Sequence, residues 1–262
     1  MSISPLKRIS GRDNPEYRRF LAVRARKDRG LILVEGPKLV EEAIRSGLAV
    51  KAVGVDEFSA GLECLAGIPR LQFSASLMKG LSDVETHQGV IALVERPRFT
   101  KRWLGHRAAF ILVLDGLQDP GNVGTLFRTA EAAGVSGVLL TRGCADPLSP
   151  KALRASAGSA FRLAHVLDLS AAELLEQLPR GLALAAAVAA PGALSVFDEA
   201  PLALPMALAL GSEGSGLDPL IEGASSHRIR IPSARPIESL NVAAAGAIVM
   251  FEIARRAGIL RS

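Results

Sequence analysis

Cysteine is almost absent from this chain of 262 residues: Cys64 and Cys144 are the only two, and no CxxC spacing occurs. That excludes a disulfide scaffold and a cysteine zinc site, and a reducing, cytoplasmic setting is expected. The four histidines, His87, His106, His165 and His227, show no HxxxH, so no metal site is expected either. Aromatic residues make up 4%, with Trp103 and Tyr17 each single of its kind. A platform that stacks many bases of a single strand is therefore excluded. No run of about 18 or more apolar residues is free of charge, proline and glycine. The nearest, Leu182–Phe197, is Ala-rich, short and broken at Pro191-Gly192, so a membrane span is excluded. The opening MSISPLKRIS has no apolar core followed by small residues, and no secretory signal is expected.

What is present is the balance of a globular protein, 49% apolar and 22% charged, long enough for one large domain or two modest ones. The net charge of +5 is concentrated at the front, where residues 1–30 hold nine Lys or Arg against three Asp or Glu. Such a patch attracts phosphate backbones, or it is merely a solvated helical face; charge alone leaves both open.

Along the chain, the spacing predicts a helix over Asn14–Arg29 stopped by Gly30, then a buried strand at Leu31–Val34. Pro37 suits the first turn of a helix running to Arg45 or Ser46. A strand at Ala49–Val55, a short helix-like stretch, a strand near Leu71–Phe73, a helix near Ala75–Leu81 and a strand at Gly89–Val94 complete a small α/β domain, residues 1–97. Residues 98–107 are polar and basic and form the boundary. From 108 to 262 strands and helices alternate: a strand at Ala109–Leu114, a helix at Val123–Ala133, and strands at Val138–Thr141, around Val166, at Ala183–Val188, Met206–Leu210 and Ile229–Ile231, before a final helix at Asn241–Arg256. This βαβ order implies a mostly parallel sheet with helices on both faces, whose ligands bind beyond the carboxyl ends of the strands.

Three loops after predicted strands are rich in glycine and small polar residues. The first, Asp115–Arg128, has glycines at 116, 121 and 124, so it fits neither GxGxxG nor the phosphate-cradling P-loop, and a nicotinamide enzyme is disfavoured. Asn122 and Arg128 lie about 600° of helix rotation apart, so they sit on different stripes. The second is Gly211-Ser-Glu213-Gly-Ser-Gly216, where glycine permits close approach of a ligand to the backbone. The third, Ile231–Val242, leads into the last helix; Ser239 is a candidate cap, which would leave Asn241 inside the first turn in need of a partner.

Taken together and in this order, PGNVGTLFRTAEAAG (120–134), ALGSEGSGL (209–217) and IPSARPIESLNVAAAGAIVMFEI (231–253) resemble the three motifs of the SpoU/TrmH class of SPOUT methyltransferases. RGLILVEGPKLVEEA (29–43) and HQGVIALV (87–94) resemble that class's L30e-like substrate-binding domain, so the similarity spans nearly the whole chain.

The resemblance implies an α/β fold: a SPOUT-type parallel sheet with a C-terminal deep trefoil knot over 108–262, and an L30e-like α/β domain in front. It implies transfer of a methyl group from S-adenosylmethionine to a ribose 2′-hydroxyl of RNA by a homodimer, without metal. Carried over residue by residue, Arg128, Asn122, Glu213, Ser239 and Asn241 are the catalytic candidates, with Arg128 against ribose and phosphate and Glu213 orienting Arg128 or the nucleotide. Gly211, Ile231 and Leu240 are the cofactor candidates. Arg24, Arg26, Lys27, Arg29 and Lys38, with Asn14, are the RNA candidates. The absence of a long arm after Arg256 and the L30e-like front favour ribosomal RNA over transfer RNA. The alternatives are a transfer-RNA methyltransferase, a resistance-type enzyme acting on one nucleotide, and a non-catalytic RNA-binding protein.

Overall fold

The structure is a computed structural model and describes residues 6–57, 67–84, 87–105, 109–190, 192–198, 201–235 and 239–260. Its first elements are β1 (Leu6–Ile9), α1 (Pro15–Arg24), β2 (Leu31–Glu35), α2 (Pro37–Arg45), β3 (Val50–Val55), β4 (Arg70–Phe73), α3 (Ala75–Leu81) and β5 (Val90–Glu95). After a 3₁₀ turn at Lys101–Gly105 come β6 (Phe110–Asp115), α4 (Pro120–Ala132), β7 (Gly137–Thr141), α5 (Pro150–Ser156), α6 (Ser159–Arg162) and β8 (His165–Leu169). The chain continues through α7 (Ala171–Gln177), β9 (Ala183–Ala187), β10 (Leu194–Ser195), β11 (Met206–Gly211), α8 (Pro219–Gly223), β12 (His227–Arg230) and α9 (Val242–Arg256). The helix-like stretch expected between Val55 and Leu71 falls mostly on residues outside those described, as do Cys64 and His106. The described residues form two units, one running to Arg98 and including Leu148–Arg162, the other built from Phe99–Pro147 and from Leu163 onward.

The first unit holds a mixed sheet in the order β1-β4-β3-β5-β2. Its core gathers much of the scarce aromatic content: Tyr17 and Phe20 meet the ring of Phe73 edge-on at centroid distances of 5.7 and 5.3 Å. Gly54 makes room for that ring, since a Cβ there would come within 2.3 Å of it. Helix α1 begins where Asn14 accepts a hydrogen bond from the Glu16 N–H at 2.9 Å and Pro15 takes the first helical position. It ends at Arg24, five residues earlier than expected. Between Val23 and Leu31 the only apolar side chain is the exposed methyl of Ala25, and Arg26 turns left-handed at φ 57°. The Arg26 and Lys27 N–H groups then bond to the carbonyls of Val23 and Ala22, both at 2.9 Å, closing a Schellman motif.

Helices α5 and α6 leave the second half of the chain to pack in this first unit. Arg154 on α5 donates to the buried Glu35 carboxylate at 3.3 Å, and Glu35 also accepts from the Ser82 hydroxyl. Arg162 on α6 pairs with Glu42 at 2.9 Å. Two distant charges therefore decide where this segment packs.

The second unit is a seven-stranded sheet in the order β10-β12-β9-β11-β6-β7-β8, and every strand pair in it is parallel. Strands β6 and β11 lie side by side at its centre, from Met206 opposite Phe110 to Gly211 opposite Asp115. Both are almost wholly apolar and buried, as strands covered on two faces must be. Gly246 lets α9 approach: a Cβ there would meet Leu126 of α4 at 2.4 Å and Leu210 of β11 at 2.7 Å. Trp103 of the 3₁₀ turn lies over Gly137 in the same unit. Among the described residues no helix is long and apolar enough to cross a membrane.

Removing one partner of a buried ion pair strands the other without its hydrogen bond. Arg154→Ala is expected to destabilise the chain by about 1–3 kcal/mol in urea denaturation, because Glu35 stays buried. Arg45→Ala, whose pairs with Glu41 and Glu42 are exposed, is expected to cost under about 0.5 kcal/mol.

Candidate active site

The parallel sheet places the loops after β6, β11 and β12 at one edge, the carboxyl ends of their strands. Helix α4 starts at Pro120, inside the first loop, because Asp119 caps it by accepting the Asn122 N–H at 3.2 Å. Asp119 followed by Pro120 is the usual start signal, and it sets Asn122 in the first turn.

The second loop is as tight as a backbone allows. Ser212 and Gly216 form a bridge with N–H to carbonyl distances of 3.1 and 2.9 Å, and the Ser212 and Ser215 hydroxyls meet at 2.7 Å. Gly211 admits no side chain, since a Cβ would sit 2.3 Å from the Gly216 carbonyl. The loop thereby lifts Glu213 to its tip.

The third loop delivers Asn241, and here the structure corrects the expected cap. Asn241, not Ser239, is the N-cap of α9: its side-chain oxygen accepts from the Ala243 and Ala244 N–H groups at 3.0 and 3.3 Å. Those two donors fix which end of the amide is oxygen. The Asn241 nitrogen must then face outward, and it donates to Glu213 Oε1 at 2.9 Å and to Asn122 Oδ1 at 3.1 Å. Asn122 Nδ2 and the Val242 N–H donate to the same Glu213 oxygen, each at 3.3 Å. Three loops from three strands thus meet on one carboxylate oxygen.

Arg128 stands apart from this cluster. It is exposed on α4, with no hydrogen-bond partner among the described residues. The structure brings Glu213 to the two asparagines rather than to Arg128. A cavity of about 760 Å³ opens beside the cluster, and Gly211, Glu213, Ile231, Ser239 and Leu240 are all in its wall. All three cofactor candidates therefore line one space with two of the catalytic candidates. Among the described residues no group of three or more His, Cys, Asp or Glu could hold a metal.

Asp115 draws no attention in the sequence beyond its place at the head of the first loop. It is buried, its Oδ1 accepts from the Thr141 hydroxyl at 2.7 Å and its Oδ2 from the Asp218 N–H at 2.6 Å. It ties the ends of β6 and β7 to the exit of the second loop. An aspartate that ends an otherwise apolar strand is the signal that marks it. Beside it, burial pushes the Cys144 thiol pKa up, and the thiol donates to the Leu114 carbonyl at 3.3 Å. It serves as a packed donor and not as a thiolate nucleophile.

In the first unit, Arg26, Lys27, Arg29 and Lys38 are exposed, and their side chains have no partner among the described residues. Arg24 differs. It pairs with Asp83 at 2.9 Å and donates to the carbonyls of Gly80 and Ser82 at the C-terminal end of α3. Asn14, as the cap of α1, is also engaged in the fold.

The chain is similar to known proteins. The profile of the SpoU rRNA Methylase family matches residues 109–251, and that of the MRM3-like substrate binding domain matches residues 16–92. An uncharacterized tRNA/rRNA methyltransferase of Synechocystis sp. is 34% identical, covering 97% of this chain and 95% of that protein. The 23S rRNA (guanosine(2553)-2′-O)-methyltransferase RlmP of Bacillus subtilis is 31% identical, covering 95% of this chain and 99% of that protein. The crystal structure of the AdoMet-bound rRNA methyltransferase from Sinorhizobium meliloti superposes with a TM-score of 0.82 at 27% identity, covering 96% of this chain and 98% of the other.

Asn241→Ala removes cap and donor together and is expected to cost about 1–2 kcal/mol in chemical denaturation. Asn241→Ser keeps an oxygen able to cap while dropping the amide donor, and is expected to recover more than half of that loss. Equal losses in the two variants would show that the bond to Glu213, not the cap, carries the stability.

Proposed function

Since the chain belongs to the SpoU rRNA methylase family, and is thereby an S-adenosylmethionine-dependent RNA methyltransferase, we propose that it methylates a ribose 2′-hydroxyl of ribosomal RNA at the cluster formed by Asn122, Glu213 and Asn241. The observation that carries this reading is that Glu213, on which the two asparagines converge, stands in the wall of the cavity that Gly211, Ile231 and Leu240 also line. The ribosomal substrate is favoured by the activities for which the Bacillus subtilis and Sinorhizobium meliloti relatives are named.

The cavity fits the cofactor. Its volume is about 760 Å³, within the range of about 300–1,000 Å³ for small-molecule sites. Gly211 exposes bare backbone where a side chain would collide. Gly211, Ile231 and Leu240 would hold S-adenosylmethionine, which when bound supplies an electrophilic methyl group on a sulfonium.

The rest is the work of the chain's own groups. Glu213 locks the two asparagine amides, so polar groups beside the cavity are held before the substrate arrives, and positioning is the larger part of such a transfer. A ribose hydroxyl is a poor nucleophile whose developing charge needs stabilising. Arg128 is the group assigned to it. A guanidinium, which keeps its proton in proteins, does this as a cation and not as a base. In the first unit Arg26, Lys27, Arg29 and Lys38 contact RNA phosphates, while Arg24 acts through the fold.

Two further features complete the reading. The second and third loops, which both wall the cavity, form the trefoil knot, an exception to the rule that chains avoid threading. The working species is a homodimer, in line with the exposed Ile248 and Phe251 on α9 and with an Arg128 that has no hydrogen-bond partner among the described residues.

Arg128→Ala is expected to abolish methyl transfer while leaving the melting temperature and cofactor affinity near wild type. The assay is transfer of labelled methyl from S-adenosylmethionine to unmodified ribosomal and transfer RNA, offered separately, followed by digestion and a test for alkali-resistant linkages. Resistance at one site in ribosomal RNA supports the reading. Label confined to transfer RNA overturns the substrate, alkali-labile product overturns the ribose as acceptor, and a fully active variant overturns the role of Arg128.

A further inference from the structure

The charged side chains in the wall of the cavity are Glu213, Glu222, Arg228, Arg230 and Arg235. Four of the five are already engaged. Glu213 accepts from Asn122, Asn241 and the Val242 N–H. Glu222 pairs with Arg228 at 2.9 Å, and Arg230 donates to the Ala193 carbonyl at 3.2 Å. Arg235 alone has no partner among the described residues, and it lies on an exposed stretch, residues 232–235, at the rim of the third loop.

From this placement we infer that Arg235 binds a phosphate of the RNA strand, the one next to the ribose presented to the cavity. The inference rests on the 2′-O-methyltransferase reading and deepens it. The 2′-oxygen of a ribose is separated by only two carbons and one ester oxygen from the phosphorus on its own 3′ side. Any 2′-hydroxyl brought to the cavity therefore brings an anion to its rim. A guanidinium that spends none of its donors on the described residues meets that anion with two parallel N–H groups, a geometry that suits phosphate oxygens better than a lysine ammonium does. The exposed position decides between the two anions available. Arg235 is open to solvent, where the phosphate of an RNA strand runs, whereas the cofactor candidates Gly211 and Leu240 are partly buried.

Binding of unmodified ribosomal RNA is measured as a function of salt for the wild type, Arg235→Ala and Arg235→Lys, with cofactor affinity by calorimetry on the same preparations. Removing one cation from the phosphate backbone lowers the slope of log affinity against log salt by about 0.7–0.9. Arg235→Ala is expected to show that fall, to weaken RNA binding roughly tenfold or more at low salt, and to leave cofactor affinity unchanged. Arg235→Lys is expected to restore the slope but not the full affinity. An unchanged slope in Arg235→Ala overturns the inference, and weakened cofactor binding with normal RNA binding reassigns Arg235 to the cofactor carboxylate and overturns it too. Failure of the wild type itself to bind or methylate RNA would instead sink the parent reading, so the two failures are distinct.

Discussion

One amide, that of Asn241, carries the geometry of the site. Its oxygen is committed to the first N–H groups of α9, which leaves its nitrogen only one direction to face. The nitrogen meets Glu213 and Asn122, so the start of α9, the tip of the second loop and the first turn of α4 are held at hydrogen-bond distance. A helix cap is normally a local device that satisfies otherwise orphaned donors. Here the same residue turns a local need into a long-range constraint. Asn241 lies 28 residues from Glu213 and 119 from Asn122 along the chain. The cost of closing those loops is met by burial in the sheet beneath, since β6 and β11 are paired along their full length.

That sheet sets what the loops can do. With every strand parallel, the carboxyl ends of β6, β11 and β12 share an edge, and residues that follow them meet without any strand having to bend. Asp115 reinforces the edge from below, using both carboxylate oxygens to join β7 and the exit of the second loop to its own strand. Glycine supplies the remaining condition. At Gly211 and Gly246 a methyl group would overlap backbone or core, so the closeness of loop and helix depends on a hydrogen in place of a side chain.

Much of this is legible in the sequence because it is written in local pattern. Apolar runs of strand length, glycine after them, and Pro at helix starts locate most of the elements, and three small-residue loops stand out against a plain background. What is not legible depends on partners distant in sequence. Ser239 and Asn241 are both good caps two residues apart, and only the partners of the Asn241 amide decide between them. Arg24 and Arg26 look alike in a basic run, yet the first is spent on the end of α3 and the second is not. Helices α5 and α6 follow a strand of the second unit but pack in the first, because Glu35 and Glu42 hold the arginines they carry. Strands β1 and β10 are four and two residues long, too short for periodicity to announce.

The arginines show how fold and function divide a single residue type. Arg24, Arg154, Arg162 and Arg256 bond to carboxylates or carbonyls of the chain and act as long-reach staples. Arg26, Arg29, Arg128 and Arg235 are exposed and make no such bond among the described residues. An exposed arginine keeps its rotamer freedom, worth about 2 kcal/mol, and gives it up only when a ligand orders it. Ordering one such side chain on a phosphate is repaid by a charge-assisted bond and by release of counterions from the RNA. The second group therefore contributes little to folding and is free to respond to substrate, while the first cannot leave its post without loosening the unit that it ties. In a chain whose charge is otherwise near balance beyond the first thirty residues, two of the second unit's exposed arginines, Arg128 and Arg235, lie in the motif segments, and Arg235 stands in the wall of the cavity.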